Sequence, residues 1–323
     1  MIGTPTEVPF VSVIVPTHRR RVLLGRLLHS LLAQDWPADR YEIIVVHNFT
    51  DDGTDRLALD IANTAPVRVH YHRTAFRGPG FSRQFGAERA HGAILAFIDD
   101  DCEATPGWIA AGVAGIGKGL ALVQGRTMPR HDQQRRLMEQ TVSVTAATPY
   151  FETCNIFYDA AVFRAVGGFP EVFRKYYGGE DTALGWTVQT AGYRTGFAED
   201  ALVLHEVFAV SFLDWLLRPR ILQQWPFLVR AYPALREKLF LGIFLSPLTA
   251  TFDLFALGVV GATLIHPLLA LLCAPYVVLR FVDSGRFNAP HVLLARFVFG
   301  LPRGAVTAAM LLVGSIRARA LVI

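Results

Sequence analysis

Residues 93–101 read AILAFIDDD, an apolar run that ends on three consecutive carboxylates. Six apolar residues without polar alternation fit a strand buried on both faces, as in a parallel sheet. Such a strand delivers Asp99, Asp100 and Asp101 at its carboxyl end, where like charges repel unless a cation or hydrogen-bond donors offset them. Hard oxygen ligands in this pattern call for Mg²⁺ or Mn²⁺. Taken alone, the triplet reads equally well as a solvated turn ahead of a helix starting near Pro106.

Outward from this run the periodicity alternates. VSVIVP at 11–16, the segment 42–46 and VRVHYH at 67–72 read as further strands. Residues 21–33 carry helical spacing at Leu24, Leu27, Leu28 and Leu31, and 53–63 and 82–90 read as helices. Alternation of this kind predicts an α/β fold, a Rossmann-like, mostly parallel sheet flanked by helices. Ligands of such sheets bind beyond the carboxyl ends of the strands, which selects Pro16, Thr17 and His18, then His47 and Asn48, then the Asp triplet. No G-x-G-x-x-G follows the first strand, which argues against a dinucleotide-binding oxidoreductase. In AFRGPGFSRQFG, residues 75–86, the glycines permit close backbone approach, and Arg77 and Arg83 are of the type that meets phosphate oxygens. A helix-surface salt bridge is the other reading of Arg83.

The chain has 323 residues, 52% hydrophobic, enough for a large core and more. Its charge is asymmetric: residues 1–210 hold 20 basic and 23 acidic groups, and residues 211–323 hold 11 and 4. A basic C-terminal third mixed with long apolar runs fits an anionic membrane surface and not a nucleic-acid partner. Cys102, Cys154 and Cys273 form no C-x-x-C pair, and MIGTPTEVPF lacks the features of a signal peptide, so residues 1–210 are expected in the cytoplasm. From 239 to 279 the only formal charge is Asp253, which predicts a membrane hairpin with legs at about 239–260 and 262–281. A buried helical pair of a soluble domain is the alternative. Arg218, Arg220, Arg230, Arg236 and Lys238 before the hairpin, and Arg280 and Arg286 after it, place both ends in the cytoplasm. Residues 211–238 read as an amphipathic interfacial region, and 289–316 as either an interfacial helix or a third span.

The runs VSVIVPTHRR (11–20), VVHNFTDDGT (45–54), RGPGFSRQFGAERA (77–90), FIDDDCEATPGW (97–108), TCNIFYDAAVFRAVGGFPE (153–171) and GGEDTALGWTVQTAGYR (178–194) resemble a family-2 glycosyltransferase of GT-A fold. The resemblance runs from residue 10 to about 206. It implies inverting transfer of a sugar from a nucleotide-sugar donor to an acceptor hydroxyl. By position in the pattern, Asp99 and Asp100 belong to the nucleotide-sugar site, Asp101 to the metal, and Asp181, next to Glu180, to the general base. His205 occupies the place of an additional metal ligand in some relatives, against which stands an ordinary structural histidine. Asn155, Gly179, Trp186 and Trp225 fall in the motifs that surround the donor sugar and acceptor. Where the family commonly has an Asp that reads the nucleotide base, this chain has His47; a neutral imidazole still satisfies a base N–H through one tautomer. Asp52 matches the later Asp of that turn.

The reading that follows is an integral protein of the inner or plasma membrane, with its catalytic domain in the cytoplasm and a lipid-linked or other glycan acceptor. Gln223-Gln224-Trp225 echoes part of the Q-x-x-R-W motif of processive relatives. Two spans are too few to enclose a polysaccharide channel in one subunit. An oligomeric polysaccharide synthase and a noncatalytic nucleotide-sugar-binding scaffold subunit stay open as alternatives.

Overall fold

The computed structural model describes residues 8–48, 50–75, 78–174, 178–282 and 290–323, so Arg77 and Arg286 lie outside the described residues. Ten strands follow in chain order: β1 (Val11–Thr17), β2 (Tyr41–Asn48), β3 (Arg68–Thr74), β4 (Ile94–Ile98), β5 (Cys102–Ala104), β6 (Leu122–Pro129), β7 (Glu139–Gln140), β8 (Asn155–Asp159), β9 (Thr195–His205) and β10 (Phe208–Ala209). The helices of the first two thirds are α1 (Arg21–Leu32), α2 (Thr54–Thr64), α3 (Pro79–Ala87), α4 (Trp108–Gly117), α5 (Ala160–Ala165), α6 (Glu171–Arg174) and α7 (Glu180–Thr190). The chain forms two units, Met1–Gln134 with Thr141–Val207, and Arg135–Gln140 with Phe208–Ile323.

In the first unit eight strands form one sheet in the order β3-β2-β1-β4-β8-β6-β9-β5. The first four are mutually parallel, β8 runs antiparallel to both its neighbours, and β6 and β9 are again parallel. This is a mixed, mostly parallel sheet, as the alternation of strands and helices predicts. Val11, Val13 and Val15 alternate onto one face, where Leu24, Leu27, Leu28 and Leu31 of α1 cover them at helical spacing. On the other face Ile14 meets α3. A Cβ at Gly86 would sit 2.7 Å from Ile14 Cγ2 and 3.2 Å from Val46, so only glycine lets α3 lie this close to the sheet. The consequence is functional, because α3 carries Arg83 one turn earlier.

The edge strand β5 follows the Asp triplet directly and pairs Cys102 with His205, so the end of β4 and the end of β9 meet. Asn155, the first residue of β8, knits the middle of the sheet. Its Oδ1 accepts from Trp108 Nε1 at 2.8 Å, and its Nδ2 donates to the carbonyls of Arg126 and Ala201, both at 2.8 Å.

The second unit opens on the antiparallel pair of β7 and β10 and continues through α8 (Phe212–Leu217), α9 (Trp225–Ala231), α10 (Pro247–Leu264), α11 (Ala274–Val282) and α12 (Pro290–Ala318). The region 211–238 is thus two short helices alternating with 3-10 turns at Arg218–Gln224 and Pro233–Lys238. Ser246 and Thr249 form a capping box that starts α10 at Pro247, several residues after the expected start of the hairpin. The returning leg is split by His266-Pro267 into a 3-10 run, Pro267–Cys273, and α11. Two helices, Pro247–Leu264 and His291–Ala318, are long and apolar enough to cross a membrane, and only 17% of each apolar stretch is buried. Most of the side chains on these two helices are thus at least partly exposed within the unit. Leu257, Val260, Leu264, Ile265 and Leu268 all face outward.

Asn155→Ala deletes three hydrogen bonds, two of them buried, and strands an indole N–H and two carbonyls. It is expected to lower stability by roughly 2–4 kcal/mol without altering the sheet order. Comparison of thermal unfolding for the two proteins checks this, and an unchanged midpoint would refute the knitting role.

Candidate active site

The carboxyl ends of β1, β2 and β4 border a cleft of about 230 Å³ floored by Pro16, Thr17, Asn48, Asp99 and Asp100. Its charge is organised by two arginines. Arg20, at the start of α1, donates from one nitrogen to Asp100 Oδ1 at 2.9 Å and Asp101 Oδ2 at 2.7 Å. Asp100 is buried, and its second oxygen accepts from the His18 backbone N–H at 3.4 Å. Burial pushes its pKa up to about 7 and Asp101 adds to that, while Arg20 pulls it down. Asp100 is therefore committed to the protein on both oxygens, and Asp99 and Asp101 flank it with oxygen atoms to spare.

Arg83 is the second organiser. Its side chain is 5% exposed and touches three carboxylates, Asp99 at 2.6 Å, Glu180 at 3.3 Å and Asp181 at 3.4 Å. Burial disfavours the guanidinium charge, but the three acids outweigh it and hold Arg83 fully protonated. Glu180 and Asp181 begin α7 after Gly178 and Gly179, whose φ angles of +99° and +93° suit glycine. Glu180 is spent on Arg83 and on the Gly178 N–H at 3.1 Å; burial, then Asp181, raise its pKa to about 7. Asp181 accepts from the Thr153 N–H at 3.1 Å and keeps a quarter of its side chain exposed. Its pKa is raised by burial, with Arg83 opposing.

At the end of β9, His205 Nδ1 donates to the Glu206 carbonyl at 2.7 Å, which leaves Nε2 as the basic nitrogen. That nitrogen lies 3.4 Å from Asp101 Oδ1, a buried oxygen that accepts no hydrogen bond. Asp101, Cys102 and His205 form the one group of metal-ligating atoms within 4.8 Å of one another among the described residues. Cys102 turns its thiol toward the Cys154 carbonyl. A carboxylate oxygen with open lone pairs beside an imidazole Nε2 is a donor set that suits Mn²⁺ or Mg²⁺, so these residues fit a divalent cation.

Other residues selected from the sequence stand elsewhere. His47 is wholly buried: Nε2 accepts from the Thr50 N–H at 3.4 Å and Nδ1 donates to the Tyr71 hydroxyl at 2.9 Å. Asp52 accepts from the Thr54 N–H at 3.1 Å at the start of α2, 4.0 Å from His47 Nε2. Asn155 is occupied in the scaffold as described. Trp186 is buried in α7 with its N–H on the Pro149 carbonyl at 3.0 Å. Trp225 belongs to the second unit. The sequence reading passed over Arg20, although a charged residue three positions beyond the β1 terminus was open to the same argument that selected Thr17.

The family description Glycosyl transferase family 2 matches residues 12–177. Glycosyltransferase AglE of Haloferax volcanii is 31% identical over 214 residues, 62% of this chain and 68% of that relative. Validoxylamine A glucosyltransferase of Streptomyces hygroscopicus subsp. jinggangensis is 27% identical over 234 residues, 59% of this chain and 54% of its own, so the chain spans about half of that protein. Among solved structures, the mannosyltransferase PcManGT from Pyrobaculum calidifontis, in complex with GDP-Man and Mn²⁺, has a TM-score of 0.60 at 19% identity, covering 98% of this chain and 88% of its own. The chain belongs to glycosyl transferase family 2 and is a nucleotide-sugar-dependent glycosyltransferase of GT-A-like fold.

The enclosure of His47 has a measurable result. Burial lowers its pKa below the ordinary 6.5, with Asp52 opposing, so the folded protein keeps the ring neutral where the unfolded chain takes up a proton. Stability from this group is complete above about 6.5 and is lost as pH falls from there through the lower folded pKa. Denaturant unfolding between neutral pH and mild acid should fall more steeply for the wild type than for His47→Asn. Parallel curves would place the ring in solvent.

Proposed function

We propose that the chain is a metal-dependent, inverting glycosyltransferase, anchored in the membrane by its second unit and acting on a lipid-linked or membrane-proximal acceptor. One observation carries the catalytic part: the buried Asp101 Oδ1, without a hydrogen bond, faces His205 Nε2 beside the Asp99–Arg83–Asp181 chain. Asp101 and His205 would hold the cation. When bound, a divalent ion supplies positive charge to offset the diphosphate leaving group.

The protein's own groups do the rest. Pro16, Thr17 and Asn48 line the cleft for the nucleotide, and Asp99 faces the ribose or sugar. Arg20 fixes Asp101 by one oxygen and so turns the other toward His205. Asp181 takes the proton of the acceptor hydroxyl while the acceptor oxygen bonds to the anomeric carbon and the bond to the nucleoside diphosphate breaks on the opposite side. Its raised pKa makes it a stronger base than an ordinary carboxylate, and Glu180 positions Arg83 against it. The membrane part is supported by the two exposed apolar helices and the basic residues before them, which also favour a cytoplasmic catalytic unit.

Asp101→Ala is expected to abolish the divalent-dependent part of nucleoside diphosphate binding, read by calorimetry with Mn²⁺ and with Mg²⁺, while the fold persists. Undiminished metal-dependent binding would remove Asp101 from the cation site. Asp181→Asn should slow the chemical step by about 10²–10⁴-fold with donor affinity little changed, measured in single turnovers. Near-normal turnover would pass the base to another group.

A further inference from the structure

The helical unit contains a cavity of about 140 Å³ whose walls include Trp215 of α8, Asp253 of α10, Tyr276 and Arg280 of α11, and Arg303 of α12. Two guanidinium groups in one small cavity of a mostly apolar helical unit are costly unless something negative accompanies them. Arg280 donates to the Arg296 carbonyl at 2.8 Å, while its Nε is buried with no acceptor. Arg303 lies 4.5 Å over the Trp215 ring and donates to the Trp215 carbonyl. Neither arginine makes an ion pair with a carboxylate among the described residues, although Asp253 lines the same cavity. α12 presents Gly300 where Arg280 crosses it, and a Cβ there would overlap the guanidinium. Among the described residues the cavity thus holds two guanidinium groups and a single carboxylate, Asp253, an excess of positive charge.

The surroundings identify the class of counter-charge. Leu248, on the cavity wall, is 40% exposed, and Leu257, Val298 and Phe299 on the same two helices also face outward. From Asp253, α10 runs on to Leu264, roughly 16 Å at about 1.5 Å per residue. The cavity therefore sits toward the end of the hairpin away from its His266 turn, next to a tryptophan stacked on an arginine, as at headgroup depth. Planar guanidinium forks match the oxygens of a phosphate. We infer that this cavity binds the phosphate group of an anionic membrane lipid, with the acyl chains lying on the exposed apolar faces of α10 and α12. The inference rests on the membrane reading of this unit and is separate from donor and metal binding in the first unit.

The full chain is reconstituted in phosphatidylcholine nanodiscs with and without phosphatidic acid, and bound lipid is read by native mass spectrometry after release into detergent. The wild type should retain phosphatidic acid selectively. The double variant Arg280→Gln/Arg303→Gln should lose at least about tenfold in retention, as expected for charge-assisted hydrogen bonds. Asp253→Asn removes the neighbouring negative charge without touching either arginine and should tighten retention, which keeps the test decisive should the double variant not fold. Equal retention in wild type and Asp253→Asn, or no preference for phosphatidic acid over phosphatidylcholine, would overturn the cavity assignment while leaving the membrane reading intact. Failure to enter neutral nanodiscs at all would overturn the membrane reading and the inference with it. Displacement of the lipid by inorganic phosphate would make this a soluble-anion site and overturn the lipid assignment.

Discussion

The catalytic unit depends on one buried cation. Arg83 stands on a helix that glycine at position 86 lets settle onto the sheet, and from there its guanidinium joins Asp99 at the end of β4 to Glu180 and Asp181 at the start of α7. Without it, carboxylates from two distant parts of the chain would be confined together with no compensation, at a cost that grows as water is excluded. The same contact sets where the acidic start of α7 lies relative to the strand end, so the geometry of the cleft and its electrostatics have one origin.

Arg20 plays a narrower part. It uses one nitrogen on two carboxylates and thereby divides the triplet by role: Asp100 is consumed by the scaffold, and Asp101 keeps one oxygen for another partner. Three adjacent acids of identical chemistry become distinct because their neighbours differ.

Much of the first unit was legible as periodicity. The strands at 11–17, 41–48 and 94–98 and the helices between them form where apolar runs and helical spacing place them, because both faces of a central parallel sheet demand continuous hydrophobicity, while the edge strand at 68–74 shows only β-branched and aromatic residues alternating with polar ones. The antiparallel β8 was not legible that way, since NIFYD is short and its partners lie some sixty residues before it and thirty before it. At the site, the Asp triplet announced itself by charge at a strand end, whereas Glu180-Asp181, which alone read as an ordinary acidic helix start, were marked by the family resemblance. His47, Asn155 and Trp186 were selected from their place in motifs, yet the structure gives their polar atoms partners within the protein. A one-dimensional pattern marks a position but does not say into which side of the chain a ring or an amide turns. In the second unit the apolar stretch was plain, but the 3-10 run at Pro267–Cys273 depends on a proline that composition alone does not weigh.

The insertion of β8 between β4 and β6 has a consequence for the order of assembly. As the chain leaves the ribosome, β1 to β4 and their helices can pair through nearby segments, whereas the other half of the sheet waits for residues 155–205. Asp99, Asp100 and Asp101 are made in the early half, and their later neighbours Asp181 and His205 in the late half. Both arginines that hold the triplet, Arg20 and Arg83, precede it in the chain. The nascent protein therefore carries the counter-charges for its acidic strand end before that end is synthesised, and the early half need not shelter unpaired carboxylates while the rest is still being made.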